Sequence, residues 1–137
     1  MRMTQHLDFT PLAALQHPLL HKFYRAQRSP MRIPDGAQPW VARGADILAA
    51  LNLTPLDGGQ WLTGLLVARE HRHQGLARHL IDHALAATPA PTWLFCHSDL
   101  ADFYQRLDFT PSEHLPPSLA ERLQRYRRHK RLVAMVR

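Results

Sequence analysis

The segment from Val67 to Ile81 joins an apolar run to an apolar helical pattern through positively charged side chains and one glycine, Gly75. A helix that begins at Gln74 or Gly75 would present unpaired backbone N–H groups and the positive end of its dipole. Because glycine has no side chain, an anion can approach this backbone closely. Arg72 and Arg78 would add positive charge beside it. The pattern predicts an anion-binding turn suited to a phosphate or pyrophosphate, although a strand-to-helix turn with a solvated basic surface has the same pattern.

Other residues that could bind a metal or act as a nucleophile have simpler structural explanations. His79 and His83 have the spacing of two metal ligands on one helix face, but no acidic third ligand follows in a zinc-protease pattern. We therefore expect a solvated helix face and no metal site. Cys96, the one cysteine of the chain, cannot form an internal disulfide. It alternates onto the same strand face as Leu94, which predicts a buried structural thiol and not a nucleophile.

The elements that would position the turn follow from periodicity. Residues 10–28 predict one or two helices, with Pro18 breaking the pattern or starting the second, and residues 29–39 predict a proline-rich loop. Strands are predicted at 40–43, 46–56 and 61–68, and the sequence DGGQ at 57–60 predicts a hairpin between the last two.

The second half of the chain predicts an alternation of helices and strands. These are a helix at 76–87, a strand at 92–97, a short helix at 99–107 capped by Ser98 or Asp99, a helix at 118–130 and a final strand at 131–136. The hairpin is antiparallel and the 67–95 crossover favours a parallel pair. The fold class is therefore α/β or α+β, with a mixed sheet flanked by helices.

Composition bounds the class of protein. The chain has 137 residues, 45% hydrophobic and 20% charged, which is typical of one globular domain spanning residues 1–137. No apolar run approaches the ~20 residues that span a bilayer, so we expect no membrane association. The first ten residues have no hydrophobic signal segment, and we expect a cytoplasmic protein. The net charge of +6 permits nucleic acid, an acidic membrane or an anionic nucleotide cofactor as partner.

Two motifs together resemble the GNAT superfamily of acyl-CoA-dependent N-acyltransferases. The family pattern is Arg or Gln, two residues, Gly, one residue, then Gly or Ala, and residues 72–77 read RHQGLA after the apolar run LLV. The second motif, FYQRLDF at 103–109, is similar to the family's FY-x-x-x-G-F, with Asp108 in place of the glycine. That replacement predicts a different local turn. The resemblance covers residues 40–110 well in element order, and it implies a mostly antiparallel sheet.

The resemblance implies acetyl-CoA as cofactor and assigns roles to matching positions. The strand residues 65–67 would line the pantetheine arm, and residues 72–77, with Arg78 beside them, would bind the pyrophosphate. His97 stands where the family often has an asparagine that contacts the cofactor. Tyr104 would protonate the departing thiolate. The cofactor-binding set is thus Leu65, Leu66, Val67, Arg72, His73, Gln74, Gly75, Leu76, Ala77, Arg78 and His97.

The chemistry implied is direct attack of a primary amine on the thioester. A lysine-like amine has a pKa of ~10.4, so a base helps at neutral pH. No Asp or Glu lies in WLTGLLV, where several relatives keep one, and His97 is our candidate base because histidine titrates in the useful range. A strand N–H near Leu66 or Val67 could stabilise the oxyanion. Tyr104 packed as an ordinary core aromatic is the simpler alternative.

The sequence is also compatible with two functions other than catalysis. The basic segment 122–131, with Tyr126, could bind nucleic acid. However, Leu119, Leu123 and Tyr126 lie on one side of a helix, so an amphipathic surface helix explains it and we do not expect nucleic acid. The segment could equally border the acceptor site. The third interpretation is a non-catalytic acetyl-CoA-binding protein that regulates a partner. The acceptor, a small molecule or peptide amine, is not determined by the sequence, and neither is the oligomeric state, which could be a homodimer.

Overall fold

A seven-stranded sheet forms the framework of this protein in a computed structural model that describes residues 6–137. The strands are β1 (Asp8–Pro11), β2 (Gln38–Arg43), β3 (Ile47–Leu56), β4 (Gly59–Val67), β5 (Thr92–His97), β6 (Thr110–Pro111) and β7 (Leu132–Val136). The helices are α1 (His17–Ala26), α2 (Leu76–Ala87), α3 (Ala101–Gln105) and α4 (Pro117–Arg127), with 3₁₀ turns at Ala14–Gln16, Arg69–His71 and Ser98–Leu100.

The strand order is β1-β2-β3-β4-β5-β7-β6. Most neighbours are antiparallel: β1 with β2, β2 with β3, β5 with β7 and β6 with β7. The pair β4 and β5 is parallel, with Gln60 opposite Thr92 and Trp61 opposite Trp93. The predicted mixed, mostly antiparallel α/β sheet is therefore confirmed.

The chain divides into two compact units, each with its own internal contacts. The first comprises the chain up to Thr54 together with Leu62–Pro89, and the second comprises Pro55–Trp61 and Ala90–Arg137. In the first unit, α1 buries one apolar face, Leu20, Phe23 and Tyr24, in a cluster with β2 and β3 residues. Of the apolar residues that define the predicted periodicity of α2, Leu76, Leu80, Ile81 and Ala84 are buried, and Ala77 and Leu85 are partly buried.

The second unit has its own apolar interior. Leu94 on β5, Phe109 before β6, Leu119 on α4 and Met135 on β7 are all at most 1% exposed. Cys96 is buried beside them, with its Sγ 3.7 Å from Met135 Sδ, as predicted for a structural thiol. Burial raises the pKa of this thiol, which disfavours the thiolate.

Sequence periodicity missed two short strands. Residues 10 and 11 were predicted as the start of a helix, but they belong to β1, which pairs with β2, and the first helical turn begins at Ala14. The two-residue strand β6 exists through pairing with β7. Pairing with a distant strand fixes both, and a segment this short has no periodicity of its own. Pro18 lies in the first turn of α1, which begins at His17 after the 3₁₀ turn, in agreement with the second of the two predicted alternatives.

Within residues 6–137, every helix is too short or too polar to span a lipid bilayer. Over the same range no group of three or more His, Cys, Asp or Glu side chains is arranged to hold a metal ion. The rings of His79 and His83 instead contact Phe9, with the His83 ring stacked on it at 4.6 Å between centroids.

Candidate functional site

The turn between β4 and α2 presents backbone to solvent. After the 3₁₀ turn Arg69–His71, the four residues from Arg72 to Gly75 are exposed. His73 has φ of 64° and Gly75 has φ of 79°, so the chain reverses through two left-handed residues before α2 begins. Gly75 is the residue that caps α2. Left-handed φ is accessible to glycine without the clash that a Cβ causes.

The first turn of α2 offers donors to an anion. The amide of His79 donates to the Gly75 carbonyl at 3.1 Å, and by helix geometry the amides of Leu76 and Ala77 have no acceptor within the helix. A Cβ built on Gly75 would have no described atom within 4 Å, so the space in front of the turn is open. Unpaired amides, open space and the positive end of a 12-residue helix together suit a phosphate group.

The two arginines assigned to the turn have defined partners. Arg72 Nε donates to the Val67 carbonyl at 3.2 Å, which connects the turn to the end of β4. Arg78 lies 3.9 Å from Asp82 one helical turn later, and both side chains are 40% exposed. The positive charge of Arg72 thus remains beside the turn, while that of Arg78 is shared with a carboxylate.

A bend in β4 lies directly before the residues assigned to the pantetheine arm. Gly64 has φ of 66°, and Leu65, Leu66 and Val67 follow it as half-buried residues. The Tyr24 hydroxyl donates to the Gly64 carbonyl at 2.8 Å. Asn52 Nδ2 in turn donates to the Tyr24 hydroxyl at 3.1 Å.

This buried network holds the bend. Tyr24 is 1% exposed and Asn52 is fully buried, and burial raises the pKa of Tyr24 to about 12 although the Asn52 hydrogen bond lowers it. A Cβ on Gly64 would lie 2.6 Å from Asn52 Nδ2 and 2.8 Å from the Tyr24 hydroxyl. No sequence pattern predicted that these three residues lie together. A lone glycine inside a strand was the available signal for the bend.

Tyr104 lies on α3 in the second unit, against two aromatic rings. Its ring makes edge contacts with Phe103 at 5.0 Å and with Phe109 at 5.9 Å between centroids. Burial, and secondarily Cys96, raises the pKa of Tyr104 to about 12. Since this pKa lies far above neutral pH, the hydroxyl is protonated there. Among the described residues no group forms a hydrogen bond with this hydroxyl.

His97 ends β5 and caps the turn that follows. Its Nδ1 accepts a hydrogen bond from the Asp99 amide at 3.2 Å and lies 3.4 Å from Asp99 Oδ2. The expectation that Ser98 or Asp99 would cap this helix is wrong, because the cap acceptor is the preceding His97 ring. Since Nδ1 accepts, the proton of the neutral ring is on Nε2.

Asp108 adopts the conformation that glycine favours. Its φ is 71°, and its amide donates to the Gln105 carbonyl while the next amide, of Phe109, donates to the Tyr104 carbonyl. Aspartate tolerates left-handed φ better than most residues, and a turn that differs from that of the family stays a prediction.

The basic segment 122–131 takes part in structural contacts. Arg122 stacks over the Trp61 ring at 4.4 Å, and Tyr126 makes an edge contact with Phe95. Leu119 and Leu123 are buried beneath the helix, as predicted for an amphipathic surface helix. Arg125 pairs with Glu121 at 3.3 Å, and Arg127 Nε donates to the Leu132 carbonyl.

The predicted site residues therefore belong to two groups. Residues 65–67 and 72–78 lie in the first unit, where the Arg72 hydrogen bond joins the exposed turn to the end of β4. His97 and Tyr104 lie in the second unit.

Comparisons with known proteins agree with this architecture. The model of an acetyltransferase (GNAT) domain matches residues 35–111, more than half of the chain. A comparison of the sequence with curated proteins found no match.

Solved structures share the fold over nearly the whole chain. An acetyltransferase from Thermus thermophilus superimposes with a TM-score of 0.70 at 16% identity, covering 99% of both chains. An acyl-CoA N-acyltransferase from Pseudomonas aeruginosa gives 0.66 at 21% identity, covering 96% of this chain and 99% of the other. Naa50 from Arabidopsis thaliana, in complex with the bisubstrate analogue CoA-Ac-MVNAL, gives 0.64 at 14% identity, covering 95% and 96%. From the family match, the two motifs and the shared fold, the chain belongs to the GNAT acetyltransferase family.

Proposed function

We propose that this chain is an acetyl-CoA-dependent N-acetyltransferase, a single domain of the cytoplasm that moves an acetyl group to a primary amine by direct attack. The observation that carries the proposal is the exposed turn at Arg72–Gly75, which directly precedes α2. The chain that contains this turn belongs to an acetyltransferase family. A family member complexed with a CoA bisubstrate analogue has the same fold, which supports the same cofactor here.

The residues of the first unit fit the cofactor. The open space at Gly75 admits a phosphate to the amides of Leu76 and Ala77. A side chain at position 75 would occupy that space. Arg72 contributes positive charge at the same turn. Acetyl-CoA supplies the acetyl group as a thioester, and the half-buried β4 residues 65–67 line its pantetheine arm in our proposal.

Tyr104 is the proposed general acid. Its raised pKa keeps the hydroxyl protonated at neutral pH, and no described group competes for that proton. The hydroxyl donates to the departing sulfur. A phenol with a pKa of about 12 is a weaker acid than a free thiol of ~8.5. Tyr104 therefore stabilises developing negative charge by hydrogen bonding more than by early proton transfer.

His97 is proposed as a cofactor contact and as the base. While its Nδ1 accepts the hydrogen bond from the Asp99 amide, the neutral ring carries its proton on Nε2 and cannot accept another proton there. To accept the amine proton, Nδ1 must release the Asp99 amide. Nδ1 then takes the amine proton itself, or the ring proton moves to Nδ1 through water and Nε2 takes the amine proton. Backbone N–H groups near Leu66 and Val67 are the proposed donors to the oxyanion.

The proposal is tested by thiol release from acetyl-CoA with a panel of small amines, amino acids, peptide termini and lysine side chains. We expect at least one acceptor class to be acetylated. Tyr104→Phe retains the ring contacts and removes only the hydroxyl, so turnover should fall at least ~10²-fold with near-normal acetyl-CoA binding and stability.

Tyr126→Phe is the matched control, because it removes the same atom from a ring of the same unit. We expect it to turn over normally. Full activity of Tyr104→Phe would show that water or another group protonates the sulfur. Tight acetyl-CoA binding with no acetylation across the panel would contradict the enzyme and favour an acetyl-CoA-binding regulator of a partner protein.

A further inference from the structure

A cavity of about 360 Å³ lies in the first unit, and Gly75 is not among the residues that line it. It is bounded by α1, by the turn between β2 and β3 and by the segment after β4. Phe23, Leu48 and Ala68, all buried, contribute its apolar surface. The volume is in the range of sites for small molecules.

Charges of both signs line this cavity. Lys22 and Arg43 are cationic, and Asp46 and Glu70 are anionic. Within the described part of the chain these four side chains form no ion pair with one another, and Arg43 donates instead to Gln16. A surface with cationic, anionic and apolar side chains complements a ligand that carries a negative group, a positive group and an apolar group.

His71 adds a polar atom that lacks a partner. Its Nδ1 is buried, and no described group forms a hydrogen bond with it. A buried polar atom left unpaired destabilises the protein, and a bound ligand that forms a hydrogen bond with it removes that cost.

We propose that this cavity binds a free α-amino acid with an apolar side chain. The ligand's carboxylate faces Lys22 and Arg43, its ammonium faces Asp46 and Glu70, and its side chain covers the apolar surface. The total charge of these four residues is zero, which suits a zwitterion better than a simple anion or cation.

The cavity is connected to the anion-binding turn. His71 ends the 3₁₀ turn whose next residue, Arg72, begins the exposed segment. Gln27, also at the cavity, accepts a hydrogen bond from the Arg69 amide at 3.0 Å. A ligand that orders this segment changes the affinity of the turn for coenzyme A, and by linkage coenzyme A changes the affinity for the amino acid by the same factor. This coupling rests on the proposed function, whereas the amino-acid site does not.

The site is tested by calorimetry on the full chain without coenzyme A. We expect L-leucine to bind saturably, and leucinamide and 4-methylpentanoate, which each lack one charge, to bind at least ~10-fold more weakly. Arg43→Gln and Asp46→Asn should each weaken leucine at least ~10-fold. Arg25→Gln and Asp35→Asn make the same changes at exposed positions outside the cavity and should not. The His71 ring nitrogen signal should shift on binding.

Absence of saturable binding across apolar amino acids, or binding insensitive to Arg43→Gln and Asp46→Asn, would overturn the site. The coupling is tested by titrating coenzyme A with and without saturating leucine, where we expect a change of at least ~3-fold and a reciprocal change for leucine. Equal affinities would overturn the coupling alone. Failure of coenzyme A to bind would refute the proposed function and leave the leucine result standing. Acetylation of leucine that Arg43→Gln abolishes would make the cavity an acceptor site and overturn the effector role.

Discussion

Replacement of Gly75 by glutamate tests the anion-binding turn most directly. The Gly75 φ of 79° is unfavourable for any residue with a Cβ, and the position in front of it is open. Gly75→Glu therefore has two separable effects. It strains the backbone, and it places a carboxylate where we propose that the pyrophosphate binds.

The magnitude of each effect follows from the geometry. Left-handed φ costs a residue with a side chain roughly 1–2 kcal/mol, which lowers stability without unfolding a domain of typical stability. Two like charges about 4 Å apart interact by ~4 kcal/mol at an effective dielectric constant of ~20, and solvent at this exposed turn reduces that to roughly half. Loss of one charged hydrogen bond adds ~1.5–3 kcal/mol. We expect coenzyme A affinity to fall at least ~100-fold.

Gly36→Glu is the matched control. Gly36 has the same φ of 79°, and a Cβ there also has no described atom within 4 Å. Both variants should lose roughly 1–2 kcal/mol in urea denaturation from the backbone strain that they share, and Gly75→Glu should lose slightly less because its carboxylate lies at the positive end of the α2 dipole. Calorimetric titration with coenzyme A should show wild-type affinity for Gly36→Glu and severe loss for Gly75→Glu. Unchanged affinity in a folded Gly75→Glu protein would refute the binding role of the turn.

Three further outcomes are expected. Because burial raises the pKa of Tyr24 to about 12, its neutral form contributes stability that is fully present below pH ~10 and lost as the pH rises through 12. Tyr104 titrates over the same range in both proteins, so urea denaturation between pH 9 and 12 should show a loss that is roughly 3 kcal/mol larger in wild type than in Tyr24→Phe. Gly64→Ala should destabilise the protein by at least ~2 kcal/mol and weaken coenzyme A binding, because φ is positive and the Cβ would lie within 2.8 Å of two side-chain atoms. In Gly58→Ala, stability should fall only by the cost of the positive φ, because a Cβ there has open space. Arg128→Gln with Lys130→Gln should leave coenzyme A affinity unchanged, and wild type should bind nucleic acid weakly at physiological salt; tight binding that these changes abolish would contradict our interpretation of the basic segment.

Local signals predicted much of the framework. The periodicity of residues 76–87 gave the bounds of α2 correctly, because its buried residues recur on one face and Gly75 marks its start. The hairpin sequence gave the turn between β3 and β4. The two motifs, although each short, predicted the family that the match over residues 35–111 shows.

Long-range contacts limited the rest. The bend in β4 depends on a hydrogen-bonded chain from Asn52 through Tyr24 to Gly64, residues separated by 28 and 40 positions. No local pattern reports that such residues meet. The His97 cap was missed for a different reason. A histidine that ends a strand is an uncommon cap, and the ranking of cap residues favours the serine and aspartate that follow it.

The glycines show why residue type alone does not locate a site. Gly36, Gly58 and Gly75 have φ of 79°, 80° and 79°, and each has open space where a Cβ would be. Only Gly75 directly precedes a 12-residue helix; Gly58 lies in a hairpin turn and Gly36 in a loop before β2. The conformation is a requirement of all three turns. The binding capacity that we propose for Gly75 comes from the unpaired amides and dipole of α2, with Arg72 beside them, and an equivalent glycine without such a helix has no reason to bind an anion.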